Sequence, residues 1–228
     1  MILIRKGREP DALTTYRRAP DTSVDPPRAA RYDGPGFEAV KPSVRDALVA
    51  EQRGVCCYCN GRITATPTGM KIEHRVAQSV DETRDLEWKN LLGACKGEVD
   101  APGGRGARSV HCDASKGDAS IDLDPTEPSH VSAISFTRDG RVTSSRAEHQ
   151  RELDGPLNLN HPSVITRRRN ALDEIKLELN RKYPGRSYSA TALSRLRDQY
   201  QSAAGQAPPF VGYLCWWLER AIRSKRGQ

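Results

Sequence analysis

The chain has 228 residues, 36% hydrophobic and only 6% aromatic, so its apolar core is modest and suits a staple such as a bound metal. Lys and Arg outnumber Asp and Glu by 36 to 29, a formal charge of +7 that favours an anionic partner, nucleic acid first. No apolar run approaches the ~18 residues that span a bilayer, and Met1-Ile2-Leu3-Ile4-Arg5-Lys6 turns charged at once. The expectation is a soluble chain in a reducing cytoplasm with no secretory leader, where clustered cysteines are more often metal ligands than disulfides.

In chain order, Pro20, Pro26, Pro27, Pro35 and Pro42 punctuate residues 1–42 and argue against long regular elements there. Ser43 reads as the N-cap of a helix through Val44, Leu48, Val49 and Gln52, ended by Gly54. Residues 62–66 and 71–74 read as two strands joined by a turn at Pro67 and Gly69. Gly97, Gly103, Gly104 and Gly106 mark a mobile surface loop, and Asp113 suits the cap of a short helix toward Lys116. Residues 130–137 and 141–144 alternate apolar and polar across Asp139-Gly140, a hairpin signal. Three helices follow, at about 163–181, 190–204 and 209–224.

On the last helix, core packing of Trp216 and Trp217 is favoured over a partner-binding patch. The run Arg167-Arg168-Arg169 reads as a solvated helix face rather than a nucleic-acid contact. The expected division is 1–53, an N-terminal extension and lead-in helix; 54–120, a metal-stapled core; and 121–228, a hairpin plus helical region that docks a partner.

Cys56 and Cys59 have the C-x2-C spacing that lets two thiolates of one turn reach a single zinc, and Cys95 and Cys112 complete a tetrahedral set. Four soft thiolates leave no open position, so this zinc is structural. Cys57 and His111 are reserve ligands, and Cys215 reads as a plain buried thiol.

Inside that frame lie Glu73, His74 and Asp113. Phosphodiester hydrolysis needs an activated water and charge compensation at the phosphate. Glu73 and Asp113 suit Mg2+ or Mn2+, which take a few carboxylate oxygens and keep positions open for phosphate. His74 has the pKa range of a general base. Because neighbours on a strand point to opposite faces, a bend or bulge near His74 is expected to bring it to Glu73.

The ordered set Cys-x2-Cys, Glu73-His74, Asn90-Leu91, Cys95 and Cys112-Asp113-x2-Lys116 resembles the zinc-stapled HNH (ββα-metal) nucleases. The resemblance implies an α+β fold: a zinc-stapled ββα-metal core with mainly helical N- and C-terminal flanks. It implies His74 as general base, Glu73 and Asp113 as catalytic-metal ligands, and Asn90 as the residue whose hydrogen bonds hold the loop around His74. Lys116 falls at a basic position that contacts phosphate or is simply solvated. Glu73 and Asp113 depart from the commoner residues at their positions and add negative charge, which favours Mg2+ or Mn2+ over a catalytic zinc.

Residues 4–10 with Leu13, Thr14, Tyr16 and Arg17, residues 52–59, and residues 157–160 resemble more narrowly the HNH subunits of Septu-type antiphage systems and their retron-associated relatives. That family implies a partner ATPase of the ABC/AAA kind and a defence role by cutting nucleic acid, DNA favoured. The chain has no G-x4-G-K-[ST] loop, so ATP-driven control has to come in trans. The alternatives are a standalone restriction or homing-type HNH nuclease, and a non-catalytic zinc module that binds nucleic acid.

Overall fold

The computed structural model describes residues 1–99, 109–184, 188–202 and 205–226. The glycine-rich loop around Gly103, Gly104 and Gly106 lies outside them. The elements run α1 (Asp11–Arg18), β1 (Pro20–Asp21), β2 (Arg28–Ala29), α2 (Phe37–Glu51), β3 (Lys71–His74), β4 (Leu91–Ala94), β5 (Glu98–Val99), β6 (Ser109–Val110) and α3 (Asp113–Lys116). They continue with α4 (Pro128–Ser132), β7 (Ile134–Phe136), β8 (Val142–Ser144), α5 (Ala147–Asp154), α6 (Pro162–Lys182), α7 (Ala190–Gln201) and α8 (Val211–Arg226). Among the described residues the strands pair as four two-stranded antiparallel ribbons, β1–β2, β3–β4, β5–β6 and β7–β8. The architecture is therefore mixed α+β, mostly helical with small sheets.

The N-terminal third is more ordered than its prolines suggest. Helix α2 starts at Phe37, after a left-handed Gly36, and runs through Pro42 rather than beginning at Ser43. Phe37, Val40, Val44 and Leu48 are all buried on one helical face, and that burial outweighs the hydrogen bond a mid-helix proline removes. Lys6 ties the segment to the core: its ammonium pairs with Glu51 at 2.8 Å, bonds the Leu91 carbonyl, and sits 3.6 Å above the Trp88 ring.

The strand pairing also differs from expectation. β3 pairs with β4, with Glu73 opposite Leu92 and His74 opposite Leu91, while of residues 62–66 only Arg62 makes a bridge, to Val55. Residues 64–70 instead close on themselves, with the Gly69 and Met70 amides bonded to the Thr66 carbonyl. Leu91 and Leu92 are both buried, so β4 is apolar on both faces and is the better partner. Gln52 completes this layer: its buried amide accepts from the Gly93 N–H and donates to the Gly93 carbonyl, as a neighbouring strand would.

Downstream, the hairpin forms as β7–β8 across Gly140, which has φ +91°, while residues 130–132 go into α4 instead. Helices α6, α7 and α8 fall near their expected places. Arg168 departs from the solvated-face reading. It is 1% exposed, and its guanidinium donates to the carbonyls of Gly140 and Leu159 at 3.1 and 2.9 Å, pinning the hairpin turn to α6. Residues 157–160 act as a clasp: the Leu157 carbonyl accepts from Cys112 N–H, Asn158 donates to the Val110 carbonyl, and Asn160 bonds Val142 in both directions. One hydrophobic core takes residues from all three expected segments, among them Leu13, Phe37, Leu91, Leu123, Leu153 and Leu218.

Candidate functional site

The C-x2-C turn is shaped by backbone bonds from Cys56 N–H to the Gly61 carbonyl and from Asn60 N–H to the Cys56 carbonyl, with Asn60 left-handed at φ 61°. Cys95 leaves the end of β4, and Cys112 stands just before α3 with φ 58° and ψ −138°, a conformation unusual for a residue with a side chain. The sulfurs of Cys56, Cys59, Cys95 and Cys112 all lie within 4.8 Å of one another and form a group that can hold a metal ion such as zinc.

Two sulfur pairs, Cys56–Cys112 and Cys59–Cys95, are each 3.8 Å apart. That excludes disulfide bonding and equals the edge, ~3.8 Å, of a tetrahedron with Zn–S bonds of ~2.3 Å. Cys57 and His111 stand outside the group of four. Burial pushes the Cys57 thiol well above its usual range, and His111 Nδ1 lies 3.1 Å from the Cys112 sulfur, placed to bond it.

On one side of β3, two elements meet through their periodicities. Lys71 and Glu73 share a strand face, and Asp113 and Lys116 share a face of α3. Lys71 Nζ lies 3.2 Å from Asp113 Oδ2, and Lys116 Nζ lies 2.9 Å from Glu73 Oε1. The Glu73 carboxyl also accepts from the Tyr58 hydroxyl at 2.7 Å and shares a hydrogen bond with Asp113. Burial, with Asp113 alongside, pushes Glu73 up to about 8. Burial opposes ionisation of Asp113 too, but the bond from Glu73 and the Lys71 charge hold it below the usual carboxylate range.

Two corrections follow. Lys116 is not solvated: its side chain is 1% exposed and its ammonium bonds Glu73 and the His74 carbonyl. The two acids do not add net negative charge, because Lys71 and Lys116 offset them.

His74 has separate surroundings. Its ring packs edge-on against Tyr32 at 4.5 Å, and Nε2 lies 3.0 Å from the Asp85 carbonyl. A carbonyl can only accept, so Nε2 carries the proton and Nδ1 keeps the lone pair. Burial lowers the His74 pKa, which keeps the ring neutral. The expected bend is absent, since the register stays regular through His74 opposite Leu91. His74 is the last residue of β3, and the Arg75 amide closes the strand on the Asn90 carbonyl.

The loop between β3 and β4 is held by Asn90, which is fully buried. Its Oδ1 accepts from Val76 N–H at 2.8 Å, and its Nδ2 donates to the carbonyls of Val76 and Arg84 at 3.1 and 3.0 Å. Asp85, next in sequence, is gripped from the other side by Arg31 at 2.7 Å and the Tyr32 N–H at 3.0 Å. Sequence reasoning missed Arg31, Tyr32 and Tyr58. Only the tyrosine inside the cysteine motif carried a local signal.

A second cluster, Asp122, His130 and His149, also brings its ligand atoms within 4.8 Å. Its hydrogen bonds argue against an ion. His130 Nδ1 accepts from Asp124 N–H, so its Nε2 carries a proton toward Asp122. His149 Nε2 lies 2.9 Å from Asp122, and its buried Nδ1 has no partner. A ligating imidazole donates its other N–H to a neighbour, and neither ring does so. Among the described residues, Glu73 and Asp113 belong to no group of three ligands. Compared with protein-family models and with curated proteins, the chain matches none.

Proposed function

We propose that the chain is a metal-dependent HNH endonuclease, with β3, β4 and α3 as its ββα core and a structural zinc on Cys56, Cys59, Cys95 and Cys112. The observation that carries the reading is the unit formed by Asn90, the 76–85 backbone and His74. The amide of Asn90 holds the loop whose Asp85 carbonyl sets the tautomer of His74. Asparagine and histidine, sixteen positions apart, thus serve one end: a neutral imidazole with a free lone pair.

Glu73 and Asp113 fit a hard cation by donor chemistry, since two carboxylates in contact share a proton when nothing lies between them. Mg2+ or Mn2+ held there would offset charge on the phosphate and on the departing oxygen. His74 Nδ1 takes the proton of a water whose oxygen attacks phosphorus, and the bond to the 3′ oxygen breaks. Tyr58 and Lys116 fix the Glu73 carboxyl, and Tyr32 fixes the imidazole plane.

DNA is the favoured substrate. An ATPase-partnered role in antiphage defence is supported by the motif resemblance of residues 4–10, 52–59 and 157–160, and co-expression with the neighbouring gene product followed by size-exclusion chromatography tests it. The second reading, a non-catalytic zinc module, draws support from Lys71 and Lys116, which already neutralise the acid pair. Plasmid nicking in Mg2+ or Mn2+, with the ATPase present and absent, separates the two. His74→Ala is expected to abolish nicking at unchanged zinc content; nicking at the wild-type rate by this variant refutes the assignment.

A further inference from the structure

A cleft of ≈ 720 Å³ opens between α6, α8 and the tip of the β7–β8 hairpin. Its walls carry Arg138 from the hairpin, Lys176 from α6, and Arg220 and Arg223 from α8, around Trp216 and Trp217, with no acidic side chain in the lining among the described residues. Three separate elements thus deliver cations to one concavity. Arg138, Arg220 and Arg223 are exposed. Lys176 has a carboxylate neighbour, Asp173, on its own helix at 3.1 Å.

The aromatic floor is braced. Trp216 stacks on Tyr213 at 5.7 Å and 16° and meets the edge of Phe136, while the Tyr213 hydroxyl donates to the Arg138 carbonyl. The Arg220 guanidinium lies 5.2 Å from the Trp216 ring centre, and the Lys176 ammonium 5.9 Å from that of Trp217. Both indoles are only partly buried. Both indoles pack in part against the core, and the part of Trp217 left uncovered lies beside the Lys176 ammonium.

We propose that this cleft binds an unpaired segment of nucleic acid, with phosphates on Arg138, Arg220 and Arg223 and a base stacked on Trp217. Cations tracking a backbone beside aromatic platforms are how single strands are held without base readout. A duplex hides its base faces within its own stack, and a cleft within the ~300–1,000 Å³ of small-ligand sites admits a base with its flanking phosphates rather than a double helix. A run of Asp and Glu would satisfy the four cations but carries no ring for the indoles, whereas a nucleic acid brings a base with each phosphate. The site lies on other elements than Glu73, His74 and Asp113, so the inference stands whether or not the chain cuts.

The test uses the full chain carrying His74→Ala, so that the probe stays intact, and reads fluorescence anisotropy of a labelled oligothymidylate. Wild-type cleft residues are expected to bind the single strand in the micromolar range or tighter, more tightly than a duplex of equal length. The double variant Arg138→Glu/Arg223→Glu, at exposed positions, should weaken binding at least tenfold and flatten its salt dependence. Trp217→Ala should weaken it about fivefold or more and remove the quenching of tryptophan emission by the bound strand. Unchanged affinity in the charge-reversal variant at an unchanged melting temperature overturns the proposal, as does absence of binding by the unsubstituted cleft. Polyglutamate competing on equal terms with the oligonucleotide assigns the cleft to an acidic protein instead, and equal affinity for duplex removes the stacking claim.

Discussion

Asn90→Ala offers the sharpest probe of the candidate site, because one side chain makes three hydrogen bonds to the loop that fixes His74. Its removal strands the Val76 N–H and the carbonyls of Val76 and Arg84. A hydrogen bond of this kind contributes ~0.5–1.5 kcal/mol net, and Asn90 is fully buried. Three bonds, with some water reaching the part-buried loop, put the loss at ~2–4 kcal/mol. Against a typical stability of ~5–15 kcal/mol the protein should still fold. Asn90→Asp keeps the acceptor for Val76 N–H but loses both donors and buries a charge, so it should cost at least as much. Urea unfolding measures the stability, and nicking per folded molecule measures the site. Both variants should lose activity beyond their loss of folded protein, because the Asp85 carbonyl no longer sets the His74 tautomer. A destabilisation under ~0.5 kcal/mol, or full activity per folded molecule, would refute the reasoning.

Removing a metal held by the four-cysteine group would leave three buried thiols and the half-buried Cys95 with no compensating cation. A membrane-permeable zinc chelator is therefore expected to lower the melting temperature by ~10 °C or more, since metal binding in such sites is folding free energy. An unchanged melt, together with no zinc by metal analysis of the purified chain, would discard the staple. Arg168→Met removes two bonds to buried carbonyls, but also relieves a buried charge whose pKa burial depresses to about 10. The net expectation is a loss of ~1–3 kcal/mol, read by urea unfolding, with oligonucleotide affinity preserved if the cleft keeps its shape. A neutral or stabilising result would mean the pin is not needed.

The motif residues were legible in the sequence to the extent that their chemistry is local. Four cysteines at metal-ligand spacings do come together, because C-x2-C fixes its own turn. The helices after residue 160 follow from apolar periodicity. The β3 partner was not legible: residues 62–66 have strand-forming types, yet the pairing went to residues 91–94, which begin seventeen residues beyond His74. That choice is made by burial of Leu91 and Leu92 and by Gln52 bonding Gly93, which no local pattern records. Arg31 and Tyr32 grip Asp85 across more than fifty residues, and contacts of that span have no periodic signature. Arg168 shows the opposite failure, since a run of three arginines looks solvated and one of them is among the largest fully buried side chains of the described residues.

Strand β3 separates the acid pair from the base, and Lys116 is the side chain that spans its edge. Glu73 faces Asp113 and Tyr58, His74 faces Tyr32 and Asp85, and the Lys116 ammonium bonds both the Glu73 carboxyl and the His74 carbonyl. Two groups on opposite faces of one strand can serve a single phosphate only at the strand end, which is where His74 lies. Lys116→Met therefore distinguishes a positioning lysine from a phosphate contact. Loss of one partner from a buried pair costs ~3–5 kcal/mol, moderated here because Asp113 and Glu73 can share a proton; ~2–4 kcal/mol is expected by urea unfolding. In steady-state nicking the rate constant should fall with KM unchanged, since the buried ammonium arranges the site without touching substrate. A raised KM at a preserved rate constant would show that the lysine reaches the phosphate after all. The strand end would then be open to substrate in a way that a side chain 1% exposed does not suggest.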